Sequence, residues 1–213
     1  MKLKDVSWLM LVGVLVCGCR SAYYSTMEKF GVYKRDLLKQ SVVAARDDEK
    51  AAGQQFTNAL ARLKELYGFE GGDLEKSYNG LNHEYERSVE RANAVHKRIK
   101  EMETVAADLF AEWEKEIQQM SSAQLQNSDR DKLRETRGRY EELHTSLKRA
   151  EQSMDPVLTR LHDQVLYLKH NLNAAAIASL KGETINIQTE ITRLLQDMNA
   201  AISQADSFIS TLQ

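Results

Sequence analysis

Apolar residues separated alternately by four and three positions run through most of this chain, the spacing that turns one stripe of an α-helix toward a partner helix. Stepping that way from Leu74 gives Tyr78, Leu81, Tyr85, Ser88, Ala92, Val95, Ile99, Met102, Ala106, Leu109, Trp113, Glu116 and Met120. Twelve of these fourteen positions are apolar, against seven of the thirty-three between them, so the pattern is a seam and not a general hydrophobic excess. It predicts a helix of about 47 residues, about 70 Å long at 1.5 Å per residue. Ahead of it, an Ala-rich stretch, Ser41 to Gln55, leads into the stripe Phe56, Leu60, Leu63 and Leu66. Gly68-Phe69-Glu70-Gly71-Gly72-Asp73 then supplies a helix-ending glycine, two permissive glycines and an Asp able to cap the next helix.

Beyond the long seam, Ser121 to Asn127 is polar and aperiodic, and Ser128 is the expected cap of a third helix. Tyr140, Leu143, Leu147, Ala150, Met154, Val157 and Leu161 carry its seam, after which Val165, Leu168 and Leu172 follow one residue out of phase. Pro156 lies close to that slip and lacks a backbone donor, which predicts a kink near Asp155-Pro156 with the helix resuming. The last connection has two candidates, Asn171-Leu172-Asn173 and Lys181-Gly182. Ile187, Ile191, Leu194, Met198, Ala201, Ala205, Phe208 and Leu212 form the final seam. Together these predict an all-α fold, an elongated antiparallel helical bundle or coiled coil of three to four long helices, with residues 41–213 as one domain. A heptad pattern reads alike whether its seams close within one chain or between chains, and both stay open.

Charge adds a register. Acidic Asp108, Glu112, Glu114 and Glu116 precede basic Arg130, Lys132, Arg134, Arg137 and Arg139. A hairpin folded about residue 124 or 125 sets Glu112 opposite Arg137 and Leu109 opposite Tyr140. Exposed pairs of this kind contribute only about 0 to 1 kcal/mol.

The first residues follow another logic. Met1 to Lys4 is a basic head and Val6 to Val16 an apolar run. That run is shorter than the roughly 20 residues of a permanent membrane span, and it suits a removable signal over residues 1–18. Its ending, Leu15-Val16-Cys17-Gly18-Cys19, resembles the lipobox of bacterial lipoproteins. The resemblance implies diacylglycerol on the Cys19 thiol, cleavage before it and acylation of the new amino group by a palmitate-type chain. Several such chains, at about 0.8 kcal/mol per buried methylene, anchor a protein firmly. Arg20 stands where an Asp marks inner-membrane retention in Gram-negative lipoproteins, so the resemblance points to the periplasmic face of the outer membrane. In residues 19–40, Tyr23, Tyr24, Phe30 and Tyr33 are interleaved with Arg20, Lys29, Lys34, Arg35 and Lys39. That mixture suits a juxtamembrane helix start at a lipid boundary, and equally rings that pack inside the bundle.

Without residues 1–18 the chain carries 27 basic and 30 acidic side chains, net −3, which is no footprint for nucleic acid. With Cys17 removed and Cys19 acylated, no thiol remains for a disulfide framework or metal ligation. One proline and few glycines agree with long helices.

Chemistry-bearing motifs are sparse. Glu141 and His144 have the E-x-x-H spacing of one half of a carboxylate-bridged di-iron site, but no second pair accompanies them. His162 and His170 are about two helical turns apart, too far to share an ion alone. No phosphate-cradling glycine loop or nucleophile elbow occurs, so neither a metal nor a cofactor is expected, and no catalytic residue is assigned. Tyr167, Lys169, His170, Asn171 and Asn173 form the polar cluster that stands out. It reads as a capped helix corner or as a recognition patch for an anionic partner such as a lipid headgroup, a glycan or an acidic protein surface.

Several stretches are similar to one family over nearly everything after the signal: Cys19-Arg-Ser-Ala-Tyr-Tyr-Ser, Met27-Glu-Lys-Phe-Gly-Val-Tyr-Lys-Arg-Asp, Gly71-Gly-Asp-Leu-Glu-Lys, Leu133-Arg-Glu-Thr-Arg and Val165-Leu-Tyr-Leu-Lys-His-Asn-Leu-Asn. They resemble uncharacterised proteobacterial lipoproteins catalogued only as a domain of unknown function. The resemblance implies a location and a helical architecture but no activity. The expectation is a non-enzymatic envelope lipoprotein, a membrane-tethered scaffold or spacer that binds other envelope proteins or itself. The alternative is a periplasmic adaptor or accessory subunit of an export or stress-response machine, docking through a helical-hairpin tip.

Overall fold

The computed structural model describes residues 33–68, 74–171, 173, 175, 177, 180 and 184–212. Four long helices account for nearly all of them: α1 (Lys34–Tyr67), α2 (Leu74–Gln119), α3 (Ala123–His170) and α4 (Thr184–Thr211). Each helix reverses the direction of the one before it. α1 lies beside α2 and α4, and α3 lies beside the same two, so the four form an up-down-up-down bundle around one core. α2, at 46 residues, extends about 69 Å. The described residues are therefore all-α, as the seams predict, and those seams close on one another within one chain.

The core consists of those seams. All eight residues of the α4 stripe, Ile187 to Leu212, are buried, as are Leu143, Leu147, Ala150, Met154, Val157 and Leu161 on α3. On α2, the stripe holds from Leu81 to Leu109 and then turns. Phe110 and Ile117 become the buried positions while Glu116 is exposed. There α2 has run past the start of α1, and its buried face rotates toward α3.

Polar contacts fix the heights at which the seams meet. Arg98 Nε donates to Asp48 Oδ2 at 2.9 Å between α2 and α1, and Arg46 Nη1 to Asp206 Oδ1 at 2.8 Å between α1 and α4. Ser153 Oγ donates to Asp197 Oδ2 at 2.8 Å between α3 and α4. In the α2–α3 hairpin, Arg137 meets Glu114 at 2.8 Å, not Glu112, because Glu112 is taken by the buried Lys34 of α1. Phe110, not Leu109, packs edge-on against Tyr140, 5.5 Å between centroids.

Several sequence expectations are revised. α3 starts at Ala123, not at Ser128: Ser122 is the cap, its Oγ accepting from the Leu125 N–H at 3.4 Å. The Gln126 side chain also donates to the Met120 carbonyl at 2.7 Å, closing the turn. The phase slip on α3 is not a slip. Gln164 is buried at the next seam position between Leu161 and Leu168, while the helix does continue past the solvent-facing Pro156, as expected. Of the two candidate last turns, the helix breaks at the first: α3 ends at His170 with Asn171 as its cap. Lys181-Gly182, like Phe69 to Asp73, lies outside the described residues.

α1 has a seam that its composition hides. Leu38, Val42, Ala45, Glu49, Ala52, Phe56, Ala59, Leu63 and Leu66 are all buried at four-three spacing. Glu49 is an anomaly among them: it is 0 % exposed and neither carboxyl oxygen has a hydrogen-bond partner. Burial first, then the charges of Glu151 and Asp48, push its pKa up to about 8. At pH 7 the carboxyl is mostly protonated, since an unpaired charge in an apolar interior is far costlier than a neutral acid.

In the unfolded chain Glu49 loses its proton near pH 4.5, and in the bundle only near 8. Its contribution is therefore fully present below about 4.5 and is lost as pH rises through 8, by up to about 1.4 kcal/mol per pH unit. Glu49→Leu should stabilise the bundle by about 1 to 4 kcal/mol at pH 7 and flatten the decline between pH 5 and pH 9, measured by urea unfolding across that range.

Candidate functional site

The bundle has two chemically different ends. At one end α1 finishes, α2 begins and α3 gives way to the connection toward α4. Here Tyr67 of α1 donates through its hydroxyl to Gln164 Oε1 of α3 at 2.9 Å, a buried bond across the diagonal of the bundle. The predicted cluster lies one turn farther along. Asn171 caps α3: its N–H donates to the Leu168 carbonyl at 3.2 Å and its side-chain amide to the Tyr167 carbonyl at 3.0 Å. The Asn171 carbonyl then accepts from the Asn173 N–H at 2.9 Å, and the Asn173 carbonyl from the Ile177 N–H at 3.3 Å. The asparagines are thus occupied in ending one helix and turning the chain.

The rest of the cluster divides. Tyr167 is 40 % exposed beside the exposed Leu166 and borders a hollow of about 290 Å³ with Arg160, Asp163 and Leu180. Lys169 and His170 are exposed in the last helical turn, where cations favour the C-terminal dipole. At about 100° per residue, Lys169 projects to the opposite side of α3 from Tyr167 and Asn171. The structure therefore brings Tyr167 and Asn171 together and separates Lys169 from them.

The opposite end carries a feature that sequence reasoning missed. A groove of about 680 Å³ lies where the α2–α3 hairpin passes the start of α1 and the end of α4. Leu109, Trp113 and Leu212 give it apolar surface, and Glu112, Asp129 and Lys132 are among its polar walls. The Trp113 indole N–H donates to Asp129 Oδ2 at 2.8 Å, tying the two helices together at that wall. It arises because α2 and α3, at 46 and 48 residues, are longer than α1 and α4, at 34 and 28.

Three of the five histidines make contacts between helices. His144 meets Glu103 Oε1 at 2.7 Å and stacks near Tyr140, while Glu141 of the E-x-x-H pair is exposed. His96 pairs with Glu151, which also meets Lys148. His162 lies over the Tyr85 ring, 5.1 Å between centroids. Among the described residues no three potential metal ligands converge, and no helix is long and apolar enough to cross a membrane. Cys19 lies outside the described residues.

Loss of the Tyr67–Gln164 bond would leave a buried amide short of a partner. Tyr67→Phe should cost about 1 to 3 kcal/mol of unfolding free energy, and Tyr67→Phe combined with Gln164→Leu should cost less than the sum of the two single changes, as a double-mutant cycle in urea would show.

No curated protein matches this chain. A family model described as "Protein of unknown function (DUF2959)" matches residues 23–212, nearly the whole of the sequence after the signal-like run. The chain belongs to that family.

Proposed function

We infer that this protein is a non-enzymatic envelope lipoprotein, a membrane-tethered scaffold or spacer that binds other envelope components. The observation that carries this reading is the abutment of anchor and domain. The family match opens at residue 23, four residues beyond the lipobox-like Cys19, so no long linker separates the acylated sulfur from the domain. Acylation there would fix the bundle at the outer membrane, with Arg20 favouring that membrane over the inner one and the rod standing on the periplasmic side.

The orientation follows from topology. α1 begins at the end that carries the groove, and its 34 residues extend about 51 Å toward the end that carries Tyr167. A tether ahead of α1 presents the Tyr167 end to the periplasm. The side chains that catalysis would recruit instead hold helices together, as His144 does with Glu103 and His96 with Glu151.

A periplasmic adaptor is the second reading, favoured by the exposed Leu166 and Tyr167 beside their hollow. Cys19→Ala should move the protein from the membrane to the soluble fraction of fractionated cells, and retention in the membrane would remove the tether. Cross-linking in intact cells should capture an envelope partner or a self-dimer. Tyr167→Ala with Leu166→Ala should leave that capture intact for a spacer and abolish it for an adaptor.

A further inference from the structure

The α2–α3 hairpin outruns the start of α1 at the groove end. Glu112 stands level with Lys34 through their ion pair, yet α2 continues to Gln119, about 10 Å farther at 1.5 Å per residue. The apex differs in composition from the rest of the rod. Residues 117–128 carry no Asp, Glu, Lys, Arg or His, the longest such run beyond the signal-like stretch in a chain with 28 % charged residues. Within it Leu125, in the first turn of α3, is 61 % exposed, the most exposed large apolar side chain among the described residues. The turn satisfies several of its own backbone groups. Ser122 Oγ accepts from the Leu125 N–H at 3.4 Å, the Ser122 carbonyl from the Gln126 N–H at 2.9 Å, and the Met120 carbonyl from the Gln126 side chain at 2.7 Å. A turn closed in this way loses less on leaving water than one whose amides and carbonyls depend on solvent.

We propose that this apex, centred on Leu125, is a second membrane contact, resting in the zwitterionic headgroup layer of the bilayer that holds the tether. It rests on the reading of Cys19 as the anchor. Fourteen residues separate Cys19 from Tyr33 and span at most about 50 Å even when fully extended, so the bilayer stays near the end from which the hairpin projects. Tyr33, 60 % exposed at that same end, adds a ring of the kind that favours the water-lipid boundary. The missing charge favours lipid over a charged protein surface, because the apex has no ion to pair and none to desolvate among headgroups. A single myristoyl chain binds a bilayer only marginally, and one leucine binds far less. Linked to an anchor, however, the same leucine meets the surface at an effective concentration of about millimolar. Two points of contact hold the rod at a fixed angle, which one acylated sulfur does not.

In a chain of residues 19–213 Cys19 is the sole cysteine, so it couples to a maleimide lipid in phosphatidylcholine vesicles whatever becomes of that thiol in the cell. Amide exchange over residues 118–128, read by mass spectrometry, should slow about threefold or more relative to the same chain coupled to soluble maleimide-polyethylene glycol. Leu125→Asp should abolish the slowing with far-UV circular dichroism unchanged, and added salt should leave it in place because no charge takes part. With Trp113→Phe removing the only other tryptophan, brominated acyl chains should quench the emission of Leu125→Trp and spare that of Tyr167→Trp at the far end. Equal exchange in the two coupled forms, or equal quenching of the two variants, would overturn the proposal. Slowing that grows with protein density on the vesicles would assign the apex to a second copy and overturn it too. Because the coupling is chemical, a negative result counts against the apex and not against acylation in the cell, which Cys19→Ala tests separately.

Discussion

Everything in this bundle depends on four apolar stripes meeting at matched heights. No single helix here is stable for its own sake, because an isolated amphipathic helix in water has nothing against which to bury its stripe. Once α2 and α3 pair, their stripes define a trough, and α1 and α4 fill it from the other side. The contacts that specify height are polar and cross from helix to helix: Asp48 with Arg98, Asp206 with Arg46, Asp197 with Ser153. Exposed pairs of this sort add little energy, but a helix displaced by one turn would lose several of them together.

Most of the fold was legible because three of the stripes are nearly pure. The α4 stripe is apolar at every position and every one is buried. The illegible parts share a cause, which is a polar residue standing where the spacing demands an apolar one. Glu49 and the small alanines around it concealed the α1 stripe, although counting back by three and four from Phe56 lands on Ala52, Glu49, Ala45 and Val42. Gln164 imitated a change of phase on α3, and its partner, Tyr67, lies far away in sequence. Spacing alone cannot distinguish a buried polar residue from an interruption when its partner belongs to another helix.

The candidate sites were legible in the same measure. The cluster from Tyr167 to Asn173 was found from the cost of asparagine within helices, and the structure assigns Asn171 to the end of α3. The groove around Trp113 was not found, because it arises from a difference in length between neighbours and not from any one segment. Neither stripe nor motif records where an adjacent helix stops. Glu49 was equally hidden: a glutamate within a charged helix looks like any other until its surroundings are known, and here those surroundings hold it protonated near neutrality.

The alternating direction of the helices also decides how the molecule bears load. A pull between the start of α1 and the far end of α3 runs parallel to the helix axes, so rupture requires whole interfaces to slide past each other at once. Peeling, in which contacts fail one at a time, needs force across the axes instead. The same four helices are thus stiff along their length and comparatively easy to part sideways.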